Sequence, residues 1–255
     1  DETGLLRIFQ LITPTQIFRQ QITAEEQLIA EKQPEQLQSA PVSQPPPIKL
    51  IWAEIIPADK QPIKPQPQMN LRYNAKFSTP TKSYRVIIDI PTEFFAEVKK
   101  RDRKDFDELV KISQSDIVPL SIAFKQLQKT ENYSNEQLAN VILNFAQSIP
   151  YIKDKVSVGM EDYHNYAIET LASGIGDCED KSILMAAITE NLGYDTILVN
   201  PYGHIAVGIA GDFKGYGIDY QGKHYYYAET TTPGWQIGEL RADLTDKEMN
   251  VIPIS

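Results

Sequence analysis

Residues 173–188 read Ser-Gly-Ile-Gly-Asp-Cys-Glu-Asp-Lys-Ser-Ile-Leu-Met-Ala-Ala-Ile, which predicts a glycine-rich loop followed by a helix. Asp177 is a residue type that favours the N-cap position, and Gly193 is typical of the position just after a helix. Four apolar residues recur at helical spacing and predict a buried face: Ile183, Leu184, Ala187 and Ile188. Cys178 is therefore expected in the first turn of this helix.

Cys178 is the only cysteine among the 255 residues. A thiol attacks a carbonyl carbon as the thiolate, and a helix N-terminus favours negative charge. The glycines ahead of the cysteine allow a substrate carbonyl to approach the backbone, where the Cys178 amide can stabilise an oxyanion. This position predicts a nucleophile, and the competing interpretation is an inert buried thiol.

Two residues after the helix are candidates to activate the thiol. The alternating pattern predicts strands over residues 196–200, 204–210, 216–220 and 223–230. His204 is expected to begin a strand on a face of small residues, and Glu229 is expected on the last strand. If these strands are neighbours, Glu229 can orient His204 as the base for Cys178. His164 and His224 are predicted to be structural, because neither begins a strand after the cysteine helix.

The chain divides by composition into three parts. Residues 1–40 are predicted to form a helical N-terminal segment, and residues 41–69 hold eight of the 17 prolines and are predicted to be a linker or arm. Both a passive tether and a segment that covers a cleft fit this composition. The folded domain is expected over residues 70–255. Within it, Ser134 and Gln137 form a capping-box pattern, which predicts a helix that ends before Pro150.

The overall composition excludes several classes of protein. A formal net charge of -9 argues against nucleic-acid binding, which needs clustered Lys and Arg. One cysteine rules out an internal disulfide, and with three histidines it lacks the spaced pairs of a structural zinc site. No apolar run of about 18 residues is present, so no transmembrane segment is expected in this chain. The start at Asp1 is typical of a trimmed product and is compatible with an extracytoplasmic or membrane-anchored form. Compartment and oligomeric state stay open.

Several motifs resemble the transglutaminase-like superfamily, in particular its microbial cysteine-peptidase branch. They are Gly-Asp-Cys-Glu-Asp-Lys-Ser at 176–182, Gly-His-Ile-Ala-Val-Gly at 203–208, Tyr-Tyr-Tyr-Ala-Glu-Thr-Thr at 225–231 and the run at 145–151. The resemblance covers about residues 135–240. It implies an α+β fold with a papain-like core, the helical part preceding an antiparallel sheet. In such a core Cys178 is the nucleophile, His204 the general base and acid, and Glu229 the orienting acid, where many members have aspartate.

The same resemblance suggests an oxyanion donor and a metal site. Gln147 and Tyr151 are candidates for the second oxyanion donor, because both lie on the segment expected to line the cleft. Asp177, Glu179 and Asp180 match by type the acids that help to bind calcium in periplasmic members of the branch. The competing interpretation is that acids near a helix start cap the helix and favour its dipole.

The function predicted from these motifs is thiol-dependent hydrolysis or acyl transfer at peptide or amide carbonyls. Hydrolysis is favoured, since a hydrolase needs no site for a second substrate. The partner is then a protein or peptide substrate, and no cofactor is required, with calcium the one candidate ion. The alternative is a catalytically idle transglutaminase-like module that binds protein through its tyrosine-rich sheet and proline-rich arm.

Overall fold

The computed structural model describes residues 51–62, 70–153, 156 and 163–254. The chain separates into two units, Asp1–Lys49 and Leu50–Ser255, and all described residues lie in the second. The helical segment predicted at 1–40 and the start of the predicted arm therefore lie outside the described residues. The second unit combines helices with two antiparallel sheets, which confirms the α+β class.

The first sheet has three strands, β1 (Trp52–Pro57), β2 (Asn70–Ser78) and β3 (Ser83–Pro91), in the order β1-β3-β2. β1 lies inside the stretch predicted to be a linker or arm, yet all six of its residues pair with β3. The described sheet therefore begins before residue 70, because the prolines flank the run 51–56, which is apolar except for Glu54, and leave its N–H groups able to pair. The folded unit includes Ile51, which is only 3% exposed.

Six α-helices follow in the described residues: α1 (Thr92–Val98), α2 (Phe106–Asp116), α3 (Val118–Glu131), α4 (Asn135–Ser148), α5 (Ala167–Ser173) and α6 (Cys178–Asn191). The predicted capping box at Ser134 and Gln137 is present at the start of α4. The predicted start of α6 is also confirmed. However, α6 buries 12 of its 14 residues rather than one face, because it packs against α2, α3, α4, α5 and the second sheet. It is the central helix of the unit.

The second sheet contains β4 (Thr196–Asn200), β5 (Ala206–Ala210), β6 (Gly217–Tyr220), β7 (Lys223–Ala228) and β8 (Asn250–Pro253), all antiparallel in the order β6-β7-β5-β4-β8. Val207 and Ile209 of β5 belong to the same hydrophobic core as α6. The register pairs Val207 with Ala228, so the residues just before β5 and just after β7 leave the sheet at the same end. This end carries the candidate site.

Among the residues that the structure describes, no helix is both long and apolar enough to cross a bilayer.

Candidate active site

Cys178 is the first residue of α6, as the sequence predicts. Asp177 is the N-cap, and its side chain accepts a 3.4 Å hydrogen bond from the Asp180 amide. The loop before it has no room for side chains at Gly176, where an added Cβ would lie 2.8 Å from the Asp180 Cβ. The glycine therefore lets the loop close tightly over the helix start, which fixes the position of the Cys178 backbone.

The Cys178 thiol is buried and protonated in this arrangement. It is 6% exposed, and its Sγ donates a 2.8 Å hydrogen bond to Glu179 Oε2. Burial and the Glu179 carboxylate raise the pKa of the thiol, and the Asp177 charge adds to the effect. A hydrogen bond from the Ile205 backbone opposes the rise. Desolvation and the neighbouring carboxylates therefore oppose the thiolate that a helix N-terminus favours.

His204 and Glu229 form the hydrogen-bonded pair that the sequence predicts. His204 Nε2 lies 3.0 Å from Glu229 Oε2. The second ring nitrogen, Nδ1, takes no part in this hydrogen bond. Neither residue is within a strand, since β5 begins at Ala206 and β7 ends at Ala228. The predicted strands were thus too long by a residue or two at this end. The contact between the thiol and Ile205 places the sulfur beside the residue that directly follows His204.

Glu229 is fully buried and is held by four donors. Besides His204, its carboxylate accepts bonds from the Tyr227 hydroxyl at 3.1 Å, the Thr231 amide at 2.9 Å and the Thr231 hydroxyl at 2.5 Å. Burial alone would raise the pKa of Glu229, but His204 and Thr231 together lower it to about 2. Arg241 Nη1 adds a positive charge 3.7 Å from Oε2. The carboxylate is ionised and has little freedom to turn.

Gln147 cannot act as the predicted oxyanion donor in this arrangement. Its Nε2 donates to the carbonyls of Glu229 at 2.8 Å and Trp235 at 3.0 Å, and its Oε1 accepts from the Gly234 amide at 3.1 Å. Both donor hydrogens of the amide are used, and the side chain is 2% exposed. Gln147 instead fixes the backbone of Glu229 and of the loop that follows it.

Tyr151 lies next to the thiol, and its role as an oxyanion donor stays a prediction. It is 43% exposed, and its phenol has a hydrogen-bonding interaction with Cys178. Partial burial, with the nearby carboxylates of Asp177 and Glu179, raises the pKa of Tyr151 to about 12, so the phenol stays a proton donor. A β-bridge between Tyr151 and Gly176 holds the two segments together.

The three acids predicted to bind calcium are not brought together as a set. Both carboxylate oxygens of Asp180 accept hydrogen bonds from Asn165, from its amide at 2.8 Å and from Nδ2 at 2.6 Å. Within the described part of the chain, the potential ligand atoms that cluster are those of Asp177, Cys178 and Glu179. A thiol suits calcium poorly, because this ion prefers oxygen ligands. The prediction of a calcium site therefore gains no support from the geometry.

Two buried residues of α6 contribute to the site and were not predicted. Lys181 is fully buried, and its Nζ donates to the carbonyls of Ile149 at 2.8 Å and Thr231 at 3.1 Å. Burial lowers the pKa of Lys181 to about 8. Ser182 is also fully buried and bonds to the segments that carry His204 and Glu229. A charged residue two positions before the apolar run 183–188 was the available signal, since a helix buried on all sides needs an internal partner for such a charge.

The other two histidines make contacts away from the thiol. The ring of His164 packs on Phe106 with centroids 4.6 Å apart. His224 Nδ1 lies 2.7 Å from Asp219 Oδ1 at the exposed end of the second sheet. His204 is the histidine that pairs with the buried Glu229 carboxylate, and the residue after it contacts the thiol.

Comparison with known proteins adds no family assignment. No protein-family model matches the chain, and no curated protein matches it either. Support for a function comes from the geometry of Cys178, His204 and Glu229.

Proposed function

We propose that this protein is a thiol-dependent hydrolase or acyl transferase of the transglutaminase-like type, with a papain-like core and a Cys178-His204-Glu229 triad. The observation that carries the proposal is the buried, ionised Glu229 bonded to His204 at 3.0 Å. A carboxylate so placed fixes the ring orientation and stabilises the imidazolium that forms during acyl transfer. The thiol contacts the backbone of Ile205, the residue after His204, and supplies the nucleophile.

In the proposed mechanism, His204 Nδ1 takes the Cys178 proton and the thiolate attacks a peptide or amide carbonyl carbon. The negative oxygen of the tetrahedral intermediate accepts hydrogen bonds from the Cys178 amide and the Tyr151 phenol. His204 then donates its proton to the leaving amine as the C–N bond breaks, and a thioester remains. Water, deprotonated by His204, attacks the thioester and releases the carboxylic acid, and the sulfur recovers its proton.

The described arrangement is a resting state in this mechanism. The thiol proton points to Glu179, so the thiol must break this hydrogen bond before it transfers its proton to His204. Substrate binding over the helix start can supply that step, because a carbonyl oxygen placed near the Cys178 amide competes for the same space. Water is favoured over an amine as the acceptor, since hydrolysis requires no second binding site. The substrate class is a protein or peptide, and the steps need no cofactor.

The alternative function is a catalytically idle protein-binding module. The observation that favours it is the burial of the thiol together with its raised pKa. A tyrosine-rich docking face is less favoured, because Tyr225 is 5% and Tyr227 0% exposed and both hydroxyls bond to carboxylates within the unit. Cys178 reactivity distinguishes the two functions.

The test measures the rate at which iodoacetamide alkylates Cys178 at pH 6. The single cysteine makes the mass of the adduct unambiguous. The enzyme predicts that His204 assists the reaction, so His204→Ala is expected to react more slowly than wild type. Assays of protein cleavage and of fluorescent-amine incorporation then identify the acceptor. Equal alkylation rates for wild type and His204→Ala would reject the triad in favour of the idle module.

A further inference from the structure

Ser182 contacts both chain segments that supply the partners of the thiol. It lies four residues, about one turn, after Cys178 in α6, and it is fully buried. Its Oγ donates to the Ile205 carbonyl at 3.1 Å and lies 3.0 Å from Thr230 Oγ1. Ile205 directly follows His204, and Thr230 directly follows Glu229. One hydroxyl therefore joins the cysteine helix to the His204 and Glu229 segments.

The direction of these two hydrogen bonds follows from the number of protons available. A serine hydroxyl has one proton, and the Ile205 carbonyl can only accept it. The Thr230 hydroxyl must then donate to Ser182 Oγ. The result is a relay from Thr230 through Ser182 to the Ile205 carbonyl, in which each group has a partner.

The other buried contacts of this region each hold one partner segment. Lys181 bonds to the Thr231 carbonyl and to the end of α4, and Gln147 bonds to the Glu229 carbonyl. Neither has a described hydrogen bond to the segment around His204. Ser182 is the residue through which the helix, the histidine segment and the acid segment are connected at once.

We propose that Ser182 is a positioning residue that sets the distance between the Cys178 thiol and the His204-Glu229 pair. The inference rests on the proposed function. Proton transfer between thiol and imidazole needs hydrogen-bond contact, and displacements of about 1 Å at a reacting group can reduce a rate by about a hundredfold. Loss of the relay frees the Ile205 carbonyl. The Ile205 amide and the His204 ring, which precede this carbonyl in the chain, then shift relative to the sulfur.

The experiment compares the pH profiles of alkylation of the full chain and its variants between pH 5 and 9. Iodoacetamide is the probe, and thermal unfolding is recorded for each variant. Ser182→Ala is expected to lose the His204-dependent rate at pH 6 by about tenfold or more and to differ less from wild type at pH 9, where hydroxide competes with His204 for the thiol proton. Its profile then approaches that of His204→Ala.

Ser121→Ala is the matched control, because it removes a buried hydroxyl that donates to the Ile117 carbonyl and accepts from Asn191, at the end of α6 opposite to Cys178. It is expected to lose stability without a change in the pH profile. A folded Ser182→Ala variant with the wild-type profile would overturn the inference. If Ser182→Ala does not fold, Thr230→Val and Thr230→Ser decide, since only the second keeps the hydroxyl donor.

In that pair, a reduced rate at pH 6 for Thr230→Val with a retained rate for Thr230→Ser supports the inference. Equal wild-type profiles for both overturn it. Failure of the proposed function gives a different result: wild type and His204→Ala are then identical at every pH, and the positioning role is rejected with it.

Discussion

After burial, the Glu179 carboxylate has the largest effect on the pKa of the Cys178 thiol. Its hydrogen bond to the thiol and its charge both favour the protonated sulfur. Glu179→Gln removes the charge and is expected to lower the pKa of Cys178, which raises the alkylation rate at pH 7 by about tenfold for each unit of the change. The measurement is the second-order rate of the reaction with iodoacetamide.

Glu248→Gln is the control for this substitution, because Glu248 is exposed and the chemical change is the same. It is expected to react as the wild type does. An unchanged rate in Glu179→Gln would show that burial alone keeps the thiol protonated.

The Glu229 carboxylate makes the free energy of unfolding depend on pH in the acid range. Its pKa is about 2 in the folded chain and 4.5 when unperturbed. Between pH 4.5 and about pH 2 the unfolded chain binds more protons than the folded chain. The stabilisation that the ionised Glu229 supplies is therefore complete above pH 4.5 and is lost as the pH falls through about 2. It amounts to about 3 kcal/mol at neutral pH. Glu229→Gln is expected to unfold more easily than wild type at pH 7.

Urea unfolding of wild type and Glu229→Gln at pH 7 and pH 3 checks this expectation. The difference in free energy of unfolding between the two should shrink at pH 3, because the wild type alone loses the contribution. A difference independent of pH would mean that Glu229 acts through shape and not through its charge.

How well the sequence predicts a site residue depends on how far along the chain the contacts of that residue lie. Cys178 and its N-cap Asp177 were predictable, because a cap and a helix start are local patterns. His204 and Glu229 were predicted by order and residue type, and the structure pairs them. Gln147 was misassigned since its three partners lie more than 80 positions away along the chain. No local pattern reveals such contacts.

At the scale of secondary-structure elements, the loop between α5 and α6 determines where the nucleophile lies. Gly176 has no side chain, and a Cβ there would lie 2.8 Å from the Asp180 Cβ and 3.1 Å from Thr170 Cγ2. Gly176→Ala is expected to displace the start of α6 and to cost about 1–3 kcal/mol of stability, as overpacking does. It should also slow the alkylation of Cys178 at pH 6.

Gly222→Ala provides the comparison for this loop. Gly222 has φ +79° in the turn between β6 and β7, and a Cβ there would meet nothing within 4 Å. It should lose stability through backbone strain but retain the alkylation rate. Equal rates for Gly176→Ala and wild type would remove the loop from the set of features that position the thiol.

The elements themselves were predictable to different degrees. The helix and strand order of the second half follows from local periodicity, which is strong in α4 and β5. The strand β2 alternates Leu71, Tyr73, Ala75 and Phe77 with polar residues, a two-residue period typical of a half-buried strand. The strand ends near His204 were not predictable, because register with β7 decides where pairing stops and that register is a property of the folded sheet.

At the scale of the whole molecule, the boundary of the folded unit is the part that composition predicts least well. Eight prolines made residues 41–69 look like a linker, whereas β1 joins the first sheet and Ile51 joins its core. Proline content is a local average, and it does not report a six-residue run whose partner residues lie 27 to 37 positions later. Pairing at that distance becomes visible only in the folded chain.

Two truncations locate this boundary. Removal of residues 1–49 leaves β1 and the whole described core, so residues 50–255 are expected to unfold in one cooperative transition on urea titration. Removal of residues 1–67 deletes β1, which leaves one edge of β3 unpaired and takes Ile51 from the core. Loss of a single buried Ile side chain costs about 2–5 kcal/mol, and a missing strand adds to it. The shorter chain should therefore have a lower urea midpoint. Equal midpoints would mean that β1 contributes nothing to the fold and that the folded domain begins near residue 70 after all.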